Sequence, residues 1–194
     1  MSIPAPRLAT YEDLLSLSDD VRAEILGGRI ITSPAPLPRH SKAQGAIRRF
    51  VGGPFDDDDG RGGPGGWWIF VEVDIRLAPH DIVRPDLVGF RRERRPRPGS
   101  IRPIDVVPDW ICEISSPSTA ALDRVAKRTL YARHGVPHYW IVDPEARTLE
   151  ALELSEGRWL EIGAYDETAE VRIPPFGALT LEVGRFFLPK DADG

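Results

Sequence analysis

The segment 109–143 contains an apolar run, a helical pattern and a second apolar run, in that order. Residues 109–114 read Asp-Trp-Ile-Cys-Glu-Ile and residues 139–142 read Tyr-Trp-Ile-Val, so both runs predict buried strands. The helix between them begins after Pro117 and ends before Gly135, a favourable residue just beyond a helix end. A strand, a helix of about 17 residues and another strand is the pattern of a βαβ crossover, although the pattern does not reveal strand direction.

The helix of this crossover has two distinguishable sides. Its apolar residues recur at helical spacing and predict the side that packs on the core. They are Leu122, Val125, Ala126, Thr129 and Leu130. Its polar residues follow steps of three and four and form a second stripe. They are Arg124, Lys127, Tyr131 and His134. A lysine on this stripe can reach carboxylates on the strands if the helix crosses the strand ends.

Short β-prone runs occur on both sides of the crossover. They comprise a hairpin over 22–32 around a Gly-Gly pair, an alternating strand over 67–77, a short strand over 85–90, and strands and turns over 148–188. The chain has 194 residues, the length of one domain. These patterns predict a single α/β domain over 1–194.

Two carboxylates lie in or beside the predicted strands. Glu113 sits inside an apolar strand, where a charge is costly unless it is paired or bound to a metal. Taken alone, Glu113 is better explained by a structural ion pair, and Asp86, which follows Pro85, by a turn. If the two strands are neighbours, both carboxylates point to one spot, and two hard oxygen ligands with open water positions suit Mg²⁺ or Mn²⁺. The pair therefore predicts a divalent-metal site.

Charge and composition restrict the function. The net charge of −5 argues against a protein that coats nucleic acid nonspecifically. Seven arginines nevertheless lie between residues 84 and 102, and they either contact phosphates or form a solvated loop. They are Arg84, Arg91, Arg92, Arg94, Arg95, Arg97 and Arg102. No apolar run approaches the roughly 20 residues of a membrane helix, and the N-terminus has no secretory pattern. With Cys112 as the single cysteine, these features predict a cytoplasmic protein without a membrane partner.

Several short motifs follow one another along the chain. They are Glu24-Ile-Leu-Gly-Gly28, Ser33-Pro-Ala-Pro36 with His40, Val83-Arg-Pro-Asp86, Glu113-Ile-Ser-Ser-Pro-Ser-Thr119, Lys127-Arg-Thr-Leu-Tyr131 and Gly135-Val-Pro-His-Tyr-Trp-Ile-Val-Asp-Pro144. Their order and spacing resemble the Uma2 family, formerly DUF820, over about residues 10–188. That family belongs to the PD-(D/E)XK restriction-endonuclease-like superfamily. The resemblance implies an α/β (α+β) fold with a mixed central β-sheet flanked by helices, and a metal-dependent phosphodiesterase site.

The resemblance also assigns a catalytic set. Glu24 matches the first acidic residue of the family, Asp86 the aspartate of Pro-Asp, and Glu113 the second carboxylate that holds Mg²⁺ or Mn²⁺. The superfamily usually has a lysine two residues after that glutamate, where this chain has Ser115. Lys127, on the following helix, looks like the migrated lysine. The implied activity is endonucleolytic hydrolysis of DNA.

Three further residues are candidates for substrate contact. His40 could contact a phosphate, although a polar residue at a helix start is the simpler explanation, and Arg84 belongs to the arginine-rich segment. Tyr131 could lie at the substrate, although packing against the sheet or orienting Lys127 explains it better. An alternative function is a non-catalytic nucleic-acid-binding module of the nuclease fold, associated with mobile elements, because the chain is acidic and lacks the lysine at position 115. A homodimer through strands of 148–188 is a further expectation.

Overall fold

The computed structural model describes residues 7–18, 20–56, 63–95, 99 and 101–190. The strands, in chain order, are β1 (Arg22–Leu26), β2 (Arg29–Ser33), β3 (Trp67–Val71), β4 (Ile75–Ala78), β5 (Asp81–Val83), β6 (Leu87–Arg91), β7 (Trp110–Ile114), β8 (His138–Asp143), β9 (Thr148–Ser155), β10 (Arg158–Asp166), β11 (Glu170–Val171) and β12 (Leu181–Glu182). The helices are α1 (Tyr11–Leu15), α2 (Pro38–Ile47), α3 (Gly53–Asp56) and α4 (Arg128–Arg133). Two π-helical segments, Arg48–Gly52 and Leu122–Lys127, lead into α3 and α4, and a 3₁₀ turn covers Val183–Phe186. No helix in these ranges is long and apolar enough to cross a membrane.

A six-stranded sheet with the order β10-β9-β8-β7-β6-β3 forms the centre. Its neighbours are antiparallel except β7 and β8, which run parallel with Glu113 opposite Ile141. The helix between β7 and β8 makes them the predicted crossover. The expected mixed sheet flanked by helices is therefore confirmed.

A second sheet, β2-β1-β5-β4, carries the hairpin predicted over 22–32. Gly27 and Gly28 both have positive φ, 58° and 78°, which a two-residue hairpin turn requires. The single strand predicted over 67–77 is wrong, because β3 belongs to the central sheet and β4 to this second sheet. The break lies at Glu72, whose φ of 51° is left-handed. Its carboxylate is held by Arg22 Nη1 at 2.9 Å and Gln44 Nε2 at 3.0 Å.

The central sheet is covered on both faces by apolar residues. On one face, Trp110 and Trp140 pack edge-on against Phe176 in a cluster that includes Cys112 and residues of α2. On the other, Ile111 lies with Leu130 of α4. Since side chains alternate along a strand, Glu113 shares the face of Ile111 and points toward the crossover helix.

The apolar side predicted for the crossover helix is largely wrong. Val125 is 66% exposed, and Ala126 and Thr129 are exposed too, whereas Asp123 and Lys127 are buried. Only beyond the π-helical segment do Leu130 and Tyr131 pack on the apolar core. The physical reason is the surface beneath the helix, where buried carboxylates offer partners to polar residues and no apolar surface to Val125.

Candidate active site

Three strands bring their carboxylates to one place. Strands β6 and β7 pair with Leu87 opposite Cys112, so Asp86 comes beside Glu113. The neighbouring strands assumed in the sequence-based prediction are therefore present. Glu24 arrives from β1 of the second sheet, and its Oε1 accepts the backbone N–H of Arg84 at 2.7 Å.

Asp86 is fixed by two hydrogen-bonding neighbours. Its Oδ2 accepts the backbone N–H of Ile114 at 2.7 Å, and its Oδ1 lies 3.1 Å from Nε2 of His40. The other ring nitrogen of His40, Nδ1, is buried and has no hydrogen-bond partner among the described residues. His40 on α2 therefore lies at the carboxylates, as expected of a residue near the site.

The ammonium of Lys127 lies between carboxylates from both sheets. Its Nζ is 2.8 Å from Glu24 Oε2, 3.0 Å from Glu113 Oε1 and 3.9 Å from Asp123 Oδ1, and the side chain is only 5% exposed. Burial alone would lower the pKa of Lys127, but the attraction of Glu113, Glu24 and Asp123 outweighs it and raises the pKa. Lys127 is therefore a fixed positive charge.

Glu113 presents its two oxygens differently. Its Oε1 accepts hydrogen bonds from Lys127 at 3.0 Å and from the hydroxyl of Tyr131 at 2.6 Å. Its Oε2 accepts none from the described residues, and Glu113 lines the cavity above. Burial raises the pKa of Tyr131 well above its ordinary value, so the phenol stays a neutral donor. Burial also raises the pKa of Glu113 well above its ordinary value, against the opposing effect of Lys127.

The site carries more negative than positive charge. Counted as ionised, the four carboxylates of Glu24, Asp86, Glu113 and Asp123 exceed the three positive charges of Lys127, Arg22 and Arg84 that line the same cavity. Lys127 contacts three of these acids, whereas Arg22 and Arg84 bind Glu72 and Asp74 outside the set. This excess and the open oxygen of Glu113 fit a divalent cation bound by hard oxygen donors. Among the described residues, no three His, Cys, Asp or Glu side chains are grouped so that they could enclose an ion. Asp86 and Glu113, side by side on neighbouring strands, are two carboxylates that could bind such an ion together with solvent or substrate oxygens.

The candidate residues named from sequence lie together. Glu24, His40, Arg84, Asp86, Glu113 and Lys127 all line one cavity. Tyr131 lies beneath it and orients Glu113. The guanidinium of Arg84 points to Asp74, with Nε 2.7 Å from Oδ1.

One residue of the site, Asp123, was missed from sequence. Asp123 is buried four residues before Lys127, and its Oδ2 accepts a hydrogen bond from Ser115 Oγ at 3.1 Å. Burial raises its pKa. Ser115, two residues after Glu113, thus binds the acid beside Lys127. The sequence did contain a signal for Asp123, because an acidic residue four positions before a lysine lies on the same side of a helix.

Where the arginine-rich segment is described, its arginines contact aromatic rings and acids of the same chain. Arg91 and Arg92 lie over the rings of Trp67 and Trp68, with 4.9 Å and 4.0 Å from guanidinium carbon to centroid. Arg94 pairs with Asp109. Arg95 lies over Phe90 at 5.8 Å and Arg102 binds Asp74 at 2.7 Å. Arg97 lies outside the described residues.

Comparisons with known proteins agree with the fold. The family model described as "Uma2: Putative restriction endonuclease" matches residues 8–184. Among solved structures, the chain is similar to a protein described as a putative nuclease belonging to DUF820 from Anabaena variabilis ATCC 29413. The two are 26% identical, with a TM-score of 0.69 over 92% of this chain and 97% of the other. A search of curated proteins gave no match.

Proposed function

Because the chain belongs to the Uma2 family of putative restriction endonucleases, we propose that it is a metal-dependent endonuclease that hydrolyses phosphodiester bonds of DNA. The observation that carries this proposal is the buried ammonium of Lys127, 2.8 Å from Glu24 and 3.0 Å from Glu113, at the floor of a cavity lined by Asp86. A buried lysine among carboxylates that open to a cavity is typical of a catalytic site. The catalytic set is Glu24, Asp86, Glu113 and Lys127.

Asp86 and Glu113 are the residues that would hold Mg²⁺ or Mn²⁺. When bound there, such an ion polarises a phosphate oxygen and lowers the pKa of a bound water. Hydrogen bonds orient both carboxylates for this role: the Ile114 N–H donates to Asp86, and the Tyr131 hydroxyl donates to Glu113.

Lys127 supplies a positive charge that is present before the substrate arrives. Glu24 and Asp123 hold the ammonium in place, so little reorganisation is needed when negative charge develops on the phosphate. His40 lies beside Asp86 in the cavity lining, and its Nε2, 3.1 Å from Oδ1, helps to orient that carboxylate. Arg84 contributes its backbone N–H to Glu24.

Incubation with plasmid and single-stranded DNA in Mg²⁺, Mn²⁺ or EDTA tests the activity. We expect metal-dependent cleavage that Asp86→Ala abolishes without changing the circular dichroism spectrum. Asp105→Ala is the matched control, since Asp105 is exposed and pairs only with Arg76 among its described ion pairs. Unchanged cleavage by Asp86→Ala would contradict the assignment.

A second candidate function is a nuclease-fold module that binds nucleic acid without cleaving it. The observation that favours it is Ser115, which replaces the usual lysine and is bound to Asp123. Calorimetric titration with Mg²⁺ and Mn²⁺ separates the two functions, because only the nuclease requires a metal at Asp86 and Glu113.

We also propose a homodimer that forms through strand β10. This strand is the outer strand of the central sheet, and it exposes Leu160 and Ile162. An outer strand with exposed apolar residues is a ready surface for pairing with a second chain. The mass of the particle measured by light scattering tests this, and Leu160→Lys should lower that mass.

A further inference from the structure

The cavity above the carboxylates has walls of several kinds. Its volume is about 340 Å³, within the range of small-molecule sites. The floor is charged and consists of the catalytic residues. The rest of the lining includes an apolar part, formed by the segment 34–37, which reads Pro-Ala-Pro-Leu, with Pro117 and Leu122, and a hydroxyl-bearing part formed by Ser33, Ser116, Ser118 and Thr119. Leu37 is 49% exposed although it lines the cavity.

The segment 34–37 is poorly suited to bind phosphates. It joins β2 to α2, and α2 begins at Pro38. Pro34, Pro36 and Pro38 have no backbone N–H, so they cannot donate to a phosphate oxygen. This segment therefore offers mainly apolar surface to whatever enters the cavity.

The arginines that line the cavity are already paired with acids. Arg22 binds Glu72 at 2.9 Å, and Arg84 binds Asp74 at 2.7 Å.

Three arginines stand next in sequence to lining residues: Arg39 and Arg124 are paired with acids, and Arg128 forms no ion pair with the described residues. Arg39 binds Glu145, and Arg124 binds Glu150 with Asp143 3.6 Å away. Binding to a continuous duplex depends on several lysines or arginines that neutralise phosphates along both strands. The lysine and arginines that line this cavity, Lys127, Arg22 and Arg84, are each paired with a carboxylate and do not present such a row.

We propose that the cavity takes one unpaired nucleotide, so that the substrate is DNA with single-stranded character and not continuous duplex. This rests on the proposed nuclease function of the same site. An unstacked base can pack against apolar side chains, and leucine and proline are residues that contact base faces in this way. The sugar-phosphate next to that base would then reach the carboxylate floor.

Binding measured without cleavage tests this inference. The wild-type protein in EDTA is titrated with a labelled single strand, the blunt duplex of the same sequence, and that duplex with a single-stranded flap, and fluorescence anisotropy is followed. We expect the single strand and the flap to bind about ten-fold more tightly than the blunt duplex. Equal or tighter binding of the blunt duplex would overturn the inference.

Leu37→Ser is the variant that isolates the apolar wall. Leu37 stands at the cap position of α2, where serine is a favoured residue, so the fold should be retained. We expect single-strand affinity to fall about five-fold while duplex affinity stays constant. Leu15→Ser, at an exposed leucine of α1, is the matched control. Equal single-strand affinity of Leu37→Ser and wild type would overturn the role of this wall.

The outcome is distinguishable from failure of the proposed function. A single-strand preference without cleavage of any DNA in Mg²⁺ or Mn²⁺ supports the cavity assignment and contradicts the nuclease. Metal-dependent cleavage with a preference for blunt duplex supports the nuclease and contradicts the cavity assignment.

Discussion

Lys127 has a structural role beside the chemical role proposed for it. Its ammonium neutralises carboxylates that come from two different sheets, and burial makes that neutralisation indispensable. A buried carboxylate without a partner is expensive, so each of Glu24 and Glu113 depends on the same lysine. The geometry that places a charge for catalysis is thus also the geometry that allows these acids to be buried.

Lys127→Met should therefore lower the free energy of unfolding as well as abolish cleavage. Removing one partner of a buried ion pair typically costs about 3–5 kcal/mol, because the remaining charge stays buried. Urea denaturation at pH 7 measures this change, with Lys42→Met as the control at an exposed lysine of α2. A loss smaller than about 1 kcal/mol would show that the carboxylates do not depend on Lys127.

The sequence was informative about the residues whose position depends on local pattern. Alternation along residues 110–114 predicts that Glu113 and Cys112 lie on different faces of the sheet. This is observed, because Cys112 belongs to the core cluster with Trp110, whereas Glu113 bonds to Lys127 of the crossover helix. The role of Asp123 was not predictable in the same way. Its burial depends on Ser115 and Lys127, which meet it only after the helix has docked on the sheet. Helical periodicity predicted that the side of the helix with Val125 packs on the sheet, because periodicity assumes that the surface beneath a helix is apolar.

Elements of the second sheet are connected to the site through Asp74. This residue lies in the bend between β3 and β4, and its side chain is 2% exposed. Its carboxylate accepts hydrogen bonds from Tyr11 Oη at 2.8 Å and from Nε of Arg84 and of Arg102, each at 2.7 Å. Helix α1, the residue before Pro85 and the loop that contains Arg102 are thus joined at one acid. The continuous strand predicted over 67–77 failed here because alternation cannot reveal a left-handed residue inside an alternating run.

Asp74→Asn should be destabilising in a pH-dependent way. Burial raises the pKa of Asp74, but the hydrogen bonds from Arg84, Arg102 and Tyr11 outweigh it, so the net effect lowers the pKa in the folded state. The stabilisation is then fully present above the unfolded-state pKa of about 3.9, and it is lost as the pH falls through the folded-state value. We expect a loss of about 1.5–3 kcal/mol at pH 7 that shrinks below pH of about 4.

Urea denaturation of Asp74→Asn and wild type at several pH values between neutral and acid measures this difference. Asp105→Asn is the control, because Asp105 is exposed and pairs with Arg76 across 3.3 Å. A difference between Asp74→Asn and wild type that stays constant with pH would contradict the charge-based explanation.

At the scale of the whole molecule, the site exists because two sheets meet. Asp86 and Glu113 come from neighbouring strands of the central sheet, which the order of apolar runs could suggest. Glu24 comes from a hairpin in the second sheet, and its distance from Lys127 depends on how that sheet packs. Periodicity contains no information on such long-range packing, so Glu24 was identified from the family resemblance alone.

The excess negative charge of the site predicts that a divalent ion stabilises the entire fold. A ligand that binds only the folded state raises the free energy of unfolding by about 2.7 kcal/mol at a concentration 100 times its Kd. We therefore expect Mg²⁺ and Mn²⁺ to raise the Tm of the wild-type protein, and Asp86→Ala to remove this increase. Na⁺ at equal ionic strength controls for screening of surface charges.

The same measurement of Tm distinguishes an ion bound at Asp86 and Glu113 from nonspecific screening of negative charges. Asp105→Ala keeps the four carboxylates of the site and should respond to Mn²⁺ like the wild type. If Asp86→Ala responds equally well, the ion binds elsewhere, and Asp86 and Glu113 are not its ligands. If no variant responds while Lys127→Met is strongly destabilised, the lysine alone balances the carboxylates, and the nuclease-fold binding module becomes the better description of this chain.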